Sequence, residues 1–140
     1  MILKSSLGSN YTVTTSYADI PGLKITIPED GIYFLTGSIN GLVKDTDATG
    51  AQLYAKVAIN STQIVASGGY LNHNDAANNY LVIGCIPISN ILYLKKGDTI
   101  TVQAVMGAGQ NCIVYASTAG TGGASYINAV NLTKLAKGMI

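Results

Sequence analysis

LYLKKGDTITVQA, residues 92–104, sets a compact cluster of lysine, glycine and aspartate between two runs built from apolar residues and small polar ones. Alternation at a period of two marks a strand with one face buried. Between the runs, Lys96-Gly97-Asp98 supplies what a reversal needs. Gly97 can take positive φ, Asp98 can hydrogen-bond the backbone beyond it, and the lysines keep the sheet end solvated. The stretch therefore predicts two strands joined by a corner, with Ile100, Val102, Ala104 and Met106 turned inward. Exposed lysine pairs are usually hydrated, so the cluster reads as a corner and not a ligand site.

The same period recurs outward from this corner. Residues 31–41, GIYFLTGSING, bring Tyr33, Leu35 and Ile39 to one side, and residues 55–60, AKVAIN, do the same with Val57 and Ile59. Turn-forming clusters fall between: Pro28-Glu29-Asp30-Gly31, Asn60-Ser61-Thr62, Ser67-Gly68-Gly69 and the loop tip Ala119-Gly120-Thr121-Gly122-Gly123. No segment of useful length has a helical period, and the tail NLTKLAKGMI is too short to stand alone. Short strands punctuated at close intervals predict an all-β protein, an antiparallel sandwich of about eight to ten strands.

Composition narrows the function classes. The chain has 140 residues, the length of one domain, and is 48% hydrophobic but only 11% charged. An ordinary soluble domain carries about 25% charged residues, so part of this surface is expected to be covered by partners. All eight basic residues are lysine and the net charge is +1, which removes the concentrated cationic face that nucleic-acid binding uses. The N-terminal apolar stretch is too brief for a secretion signal. The run Leu81 to Ile88, broken by Gly84 and Pro87, falls far short of the roughly 20 residues that cross a bilayer. Cys85 and Cys112 each lie in an apolar stretch and read as buried free thiols.

The corner has company in the right order. Ile27-Pro28-Glu29-Asp30-Gly31-Ile32-Tyr33-Phe34 resembles the entry into a central strand of the jelly rolls in the tumour necrosis factor and complement globular-head superfamily. Leu94-Lys95-Lys96-Gly97-Asp98-Thr99-Ile100 resembles that group's Gly-Asp corner, and Ser125 to Leu132 its closing strand. The three elements cover residues 16–133. The chain departs from the animal signalling and complement members: it has no tryptophan, one phenylalanine and no collagen-like stretch. Its richness in Thr, Asn, Gly and Ala is similar to that of jelly rolls in bacteriophage head fibres, capsid decorations and fibre tips.

The resemblance implies a jelly roll over residues 17–140, a homotrimer around a threefold axis, and an N-terminal segment, 1–16, that attaches to other virion proteins at the particle surface. Loops 44–50, 68–79 and 107–111 are expected to face the medium. Residue parity gives the expected interface. Ile32 and Phe34 oppose the core-facing Tyr33 and Leu35, and Thr36 shares their parity. On the following motif Thr99, Thr101, Gln103 and Val105 point away from the core. Tyr126 and Asn128 belong to the closing strand. The interface expected is thus Phe34, Thr36, Thr101, Gln103, Val105, Tyr126 and Asn128. The expected function is a non-catalytic virion structural protein. The alternative is a receptor-binding or glycan-binding tip of a phage fibre, with contacts from Tyr70, His73, Asn74 and Tyr80.

Other chemistry finds little support. Asp45 and Asp47 with Gly50 have the closely spaced oxygens of a calcium loop, but the bidentate glutamate is missing and Glu29 is the only glutamate in the chain. One histidine cannot build a three-histidine zinc site, and no nucleophile elbow accompanies His73. No enzyme activity and no cofactor is expected. The acceptor triplets at Asn10, Asn60 and Asn131 are read as incidental. Lys134 and Lys137 are read as solvated.

Overall fold

A computed structural model describes residues 2–44, 51–64, 69–73, 81–107, 111–116 and 124–138. Eleven strands are seen among these residues: β1 (Ile2–Ser6), β2 (Tyr11–Thr12), β3 (Ala18–Thr26), β4 (Gly31–Lys44), β5 (Ala51–Ile59), β6 (Gln63–Ile64), β7 (Gly69–His73), β8 (Leu81–Leu94), β9 (Thr99–Met106), β10 (Asn111–Val114) and β11 (Tyr126–Asn131). A short helix, α1 (Leu132–Gly138), follows. The strands form a six-stranded sheet, ordered β1-β11-β4-β10-β2 with β8 on the other side of β4, and a five-stranded sheet, ordered β3-β9-β5-β6 with β7 beside β5. Every pairing is antiparallel.

The core lies between the two sheets, and the period-two reading explains which residues fill it. Tyr33, Leu35, Ile39 and Val43 of β4 are buried against Val57 and Ile59 of β5 and Ile100, Val102 and Ala104 of β9. Met106, also expected inside, is only partly buried at the rim. Apolar burial of this kind contributes about 25 cal/mol per Å² removed from water and dominates the stability of a sandwich with one disulfide-free core.

The corner and the β4 entry, separate motifs in the sequence, are one structure in space. Gly97 N donates to Ile27 O at 2.8 Å, Ile27 N to Asp98 O at 2.8 Å, and Lys96 N to Asp30 Oδ1 at 2.7 Å. Gly97 has φ 92°, a conformation that glycine adopts without a steric penalty. Asp98 does not reach beyond itself as expected; its Oδ2 accepts from Lys95 N at 2.9 Å while Oδ1 accepts from Asn60 Nδ2 at 3.0 Å. Those bonds, led by the one from Lys95 N, hold its carboxyl below the ordinary aspartate range. Each motif thus supplies the hydrogen bonds that the other's backbone lacks.

Two expectations need correction. The sandwich begins ahead of residue 17: β1 pairs along its whole length with β11, and Leu7 and Val13 are core residues. Ser5 Oγ also stitches β1 to the second sheet, accepting from Lys24 N and donating to Gly22 O. Cys85 is exposed because its parity on β8 faces away from the core, whereas Cys112 is buried as expected. Burial pushes the Cys112 thiol up to about 11, where it is protonated and unreactive at neutral pH.

The tail is helical over seven residues because tertiary contacts hold what an isolated segment could not. Asn131 caps it, Oδ1 accepting from Lys134 N at 2.9 Å, while Asn131 Nδ2 donates to Tyr33 OH and Tyr33 OH donates to Glu29 O. Lys134, read as solvated, instead pairs with Glu29 at 3.1 Å. Loss of a helix cap costs roughly 1 kcal/mol, and loss of the bond that the Tyr33 hydroxyl accepts adds a similar amount. Asn131→Ala is therefore expected to lower unfolding free energy by about 2 kcal/mol in a denaturant titration. An unchanged midpoint would show the cap to be idle.

Candidate functional site

The two sheets each turn one face to the core and one outward, and the outward face of the six-stranded sheet is unusual. Pairing registers place its residues in rows across β1, β11, β4 and β8. Ile2, Val130, Phe34 and Ile91 form one row, and Ile32 and Tyr93 continue it toward the corner end. The next row is Lys4, Asn128, Thr36 and Ser89, then Ser6, Tyr126, Ser38 and Pro87, then Asn40 and Cys85.

The first row and its continuation through Ile32 and Tyr93 form an apolar band. Ile2 is 54% exposed, Ile32 46%, Ile91 60% and Tyr93 58%, with Phe34 and Val130 half-buried between them. Single exposed apolar residues are ordinary on a protein surface; contiguous ones mark a surface that binds something. Five of the seven large hydrophobics exposed among the described residues lie on this one face, the fifth being Tyr126. The band contains no charged residue.

The edge of the sheet is less available than its face. Among the described strands β8 pairs only with β4, and a free edge invites pairing with another chain. Pro87 interrupts the donors along it, and Asn90 Oδ1 accepts from Ile91 N at 2.8 Å. Ile91 N is therefore turned to the open side, and Pro87, of the same parity, costs the β4 ladder no bond.

Beyond the apolar band the face is polar and concave. A groove of about 600 Å³ is lined by residues that include Lys4, Ser6, Ser38, Asn40, Tyr126 and Asn128. Its far wall is rigid: Asn40 N donates to Ser125 Oγ, Ser125 Oγ to Asn40 O, Asn40 Nδ2 to Ala124 O, and Ser38 Oγ to Asn40 Oδ1. The side chains of Lys4, Ser6, Tyr126 and Asn128 have no hydrogen-bond or ion-pair partner among the described residues.

This geometry divides the expected interface. Phe34 sits in the middle of the apolar band, with Thr36 in the adjoining polar row; Tyr126 and Asn128 line the groove. Thr101, Gln103 and Val105 are on β9, whose outward face belongs to the other sheet, so they lie on the opposite side of the sandwich and cannot share one flat interface with Phe34. Nor is their face the uncharged surface that parity suggested. Asp19 Oδ1 accepts from Thr101 Oγ1 at 3.1 Å and Gln103 Nε2 at 2.9 Å, and Asp19 Oδ2 from Ser61 Oγ at 2.7 Å. Thr101 is already 4% exposed in the single chain.

Tyr70 and His73 fall on β7, opposite Tyr54 and Ala51 of β5 in register. Asn74, Tyr80, Asp45 and Asp47 lie outside the described residues. No group of three histidine, cysteine or carboxylate side chains that could hold a metal occurs among the described residues.

The residues missed at the sequence level are Ile2, Ile91, Tyr93 and Val130. A signal was present: Ile91-Leu92-Tyr93-Leu94 and Ile32-Tyr33-Phe34-Leu35 are apolar at both parities, the pattern of strands covered on both faces. The alternation around them drew attention to the inward set alone.

The Asp19 cluster holds the β5–β6 turn, where Asn60 and Ser61 take φ 53° and 58°, the pair of positive values that a type I′ turn requires. Partial burial alone would raise the Asp19 carboxyl, but hydrogen bonds from Ser61, Gln103 and Thr101 and the Lys24 charge bring it below its ordinary value of 3.8. A carboxyl lowered in the folded state stabilises it above the unfolded value and loses that contribution as pH falls through the folded one. Asp19→Asn should therefore melt at a lower temperature than wild type at neutral pH, with the difference shrinking below about pH 4. A gap that stays constant on acidification would contradict this role.

Together the two packed antiparallel sheets, with β4 central in one and β9 in the other, define an all-β jelly roll of the tumour-necrosis-factor-like kind. A similar solved structure is that of Eiger TNF from S. frugiperda, with a TM-score of 0.54 at 12% sequence identity, covering 94% of this chain and 92% of that one. At that identity the likeness shows the fold. No protein-family model matches the sequence, and no curated protein matches it.

Proposed function

We propose that the protein is a non-catalytic structural protein that works as a homotrimer, three copies burying the apolar bands of their six-stranded sheets against one another. The observation that carries this reading is the uncharged row Ile2, Val130, Phe34 and Ile91, extended by Ile32 and Tyr93. A symmetric assembly brings identical residues together, and a band without charge does so without repulsion. The 11% charged content of the chain supports the same reading, as does the blunted edge of β8, which favours association through the face.

The setting proposed is the surface of a bacteriophage virion, as a head-fibre or capsid-decoration protein. Its support is compositional: a sparsely charged, tryptophan-free jelly roll rich in Thr, Asn, Gly and Ala. Contacts with other virion proteins would be made by the packed surface of residues 2–16. Antibody against the purified protein should label intact particles in electron micrographs; particles that stay bare would contradict this setting. A second reading, a receptor- or glycan-binding tip, is favoured by the polar groove. Assembly itself is tested by sedimentation equilibrium, where a mass of about three times 14.5 kDa is expected. A single-chain mass at every concentration would overturn it.

A further inference from the structure

We propose that the polar groove on the outward face of the six-stranded sheet binds an acidic saccharide, with Lys4 holding the carboxylate and Tyr126 and Asn128 holding the sugar ring. The inference rests on the second of the two readings above and moves its site from the β7 region to the groove. The volume of about 600 Å³ is in the usual range of about 300–1,000 Å³ for small-ligand sites.

The lining chemistry chooses the ligand. A sugar presents hydroxyls that donate and accept at once, together with C–H faces that lie flat on an aromatic ring. Asn128 and Ser6 offer both donor and acceptor atoms, and Tyr126, 37% exposed, offers its ring. Register sets Lys4 directly across from Asn128 and Ser6 directly across from Tyr126, so their side chains project side by side, with Cβ atoms about 5 Å apart. All four are unspent among the described residues, whereas Ser38 and Asn40 are spent on the wall that shapes the groove. Among the described residues Lys4 is the lining's one ammonium and has no acidic partner, which favours a ligand with one carboxylate.

Amide chemical shifts of the full-length protein, titrated with digalacturonate, lactose and inorganic phosphate in parallel, test this. Saturable shifts at Lys4, Tyr126 and Asn128 are expected with digalacturonate. Lactose should bind about tenfold more weakly, and phosphate should leave Tyr126 and Asn128 unmoved. Lys4→Met should erase the preference for the acidic sugar and Lys4→Arg should keep it. Asn128→Ala should weaken both sugars. Equal affinity for digalacturonate and lactose, shifts reproduced by phosphate alone, or no shift with any of the three would overturn the proposal. Lys4 lies outside the apolar band, so the subunit number measured on the same samples separates failure of the groove from failure of the assembly.

Discussion

Replacing Gly37 by alanine should cost about 3 kcal/mol of stability or more, the upper end of what overpacking a core produces. Gly37 is buried in β4 and pairs with Ile127 of β11. A methyl group built on it would overlap the Tyr126 carbonyl oxygen and press on Ile127 Cα at 3.1 Å and Cγ2 at 3.2 Å. The nearest obstacle is backbone, which cannot rotate away as a flexible side chain would, so relief has to come from parting β4 and β11. These two strands hold the six-stranded sheet together, since β11 is also the partner of β1. Denaturant unfolding at fixed protein concentration should show a large fall in midpoint with full loss of the β1–β11–β4 amide protection. A midpoint within error of wild type would mean that the strands separate freely there.

The contrast between Gly37 and Gly97 shows where sequence reasoning works. Gly97 stands beside aspartate and lysine between two alternating runs, so local chemistry announces a corner, and its φ of 92° is what that chemistry requires. Gly37 stands in the middle of a strand, and its reason for being glycine is the approach of a strand ninety residues later in the chain. Nothing local encodes that. The same distinction separates Phe34 from Thr101. Parity correctly turned both away from the core, because parity is a property of one strand. Which sheet each strand joins, and hence which side of the sandwich each residue faces, depends on pairing order. The Asp19 cluster that covers Thr101 adjoins a register shift of β3 between Asp19 and Lys24, an irregularity with no periodic signature. The strand ahead of residue 17 escaped notice for a related reason: β1 is short, and its partner lies at the other end of the chain.

Substituting Ile91 by aspartate should abolish assembly while leaving each protomer folded. Ile91 is 60% exposed in the single chain, so a carboxylate there is hydrated before association and adds little strain to the sheet. On association through the apolar band it would be stripped of water with no cation among the band's residues to meet it. Burying one unpaired charge costs several kcal/mol, and the symmetric assembly would bury one from every copy. Each 1.4 kcal/mol is a tenfold change in an association constant, so the expected weakening exceeds a thousandfold. Sedimentation should give 14.5 kDa with an unaltered far-ultraviolet spectrum. A variant that keeps the wild-type mass would place the association surface elsewhere, and Ser89→Asp, in the adjoining polar row, serves as the control expected to assemble more nearly as wild type does.

Oxidative footprinting of the tyrosines tests most directly whether the band is covered. In the isolated chain Tyr93 is 58% exposed and Tyr17, on the opposite side of the sandwich, 45%. If neighbours cover the band, Tyr93 of the native protein should react far more slowly than Tyr17, and the two rates should converge when Ile91→Asp frees the protomers. Tyr93 reacting at least as fast as Tyr17 in the native protein would contradict the account.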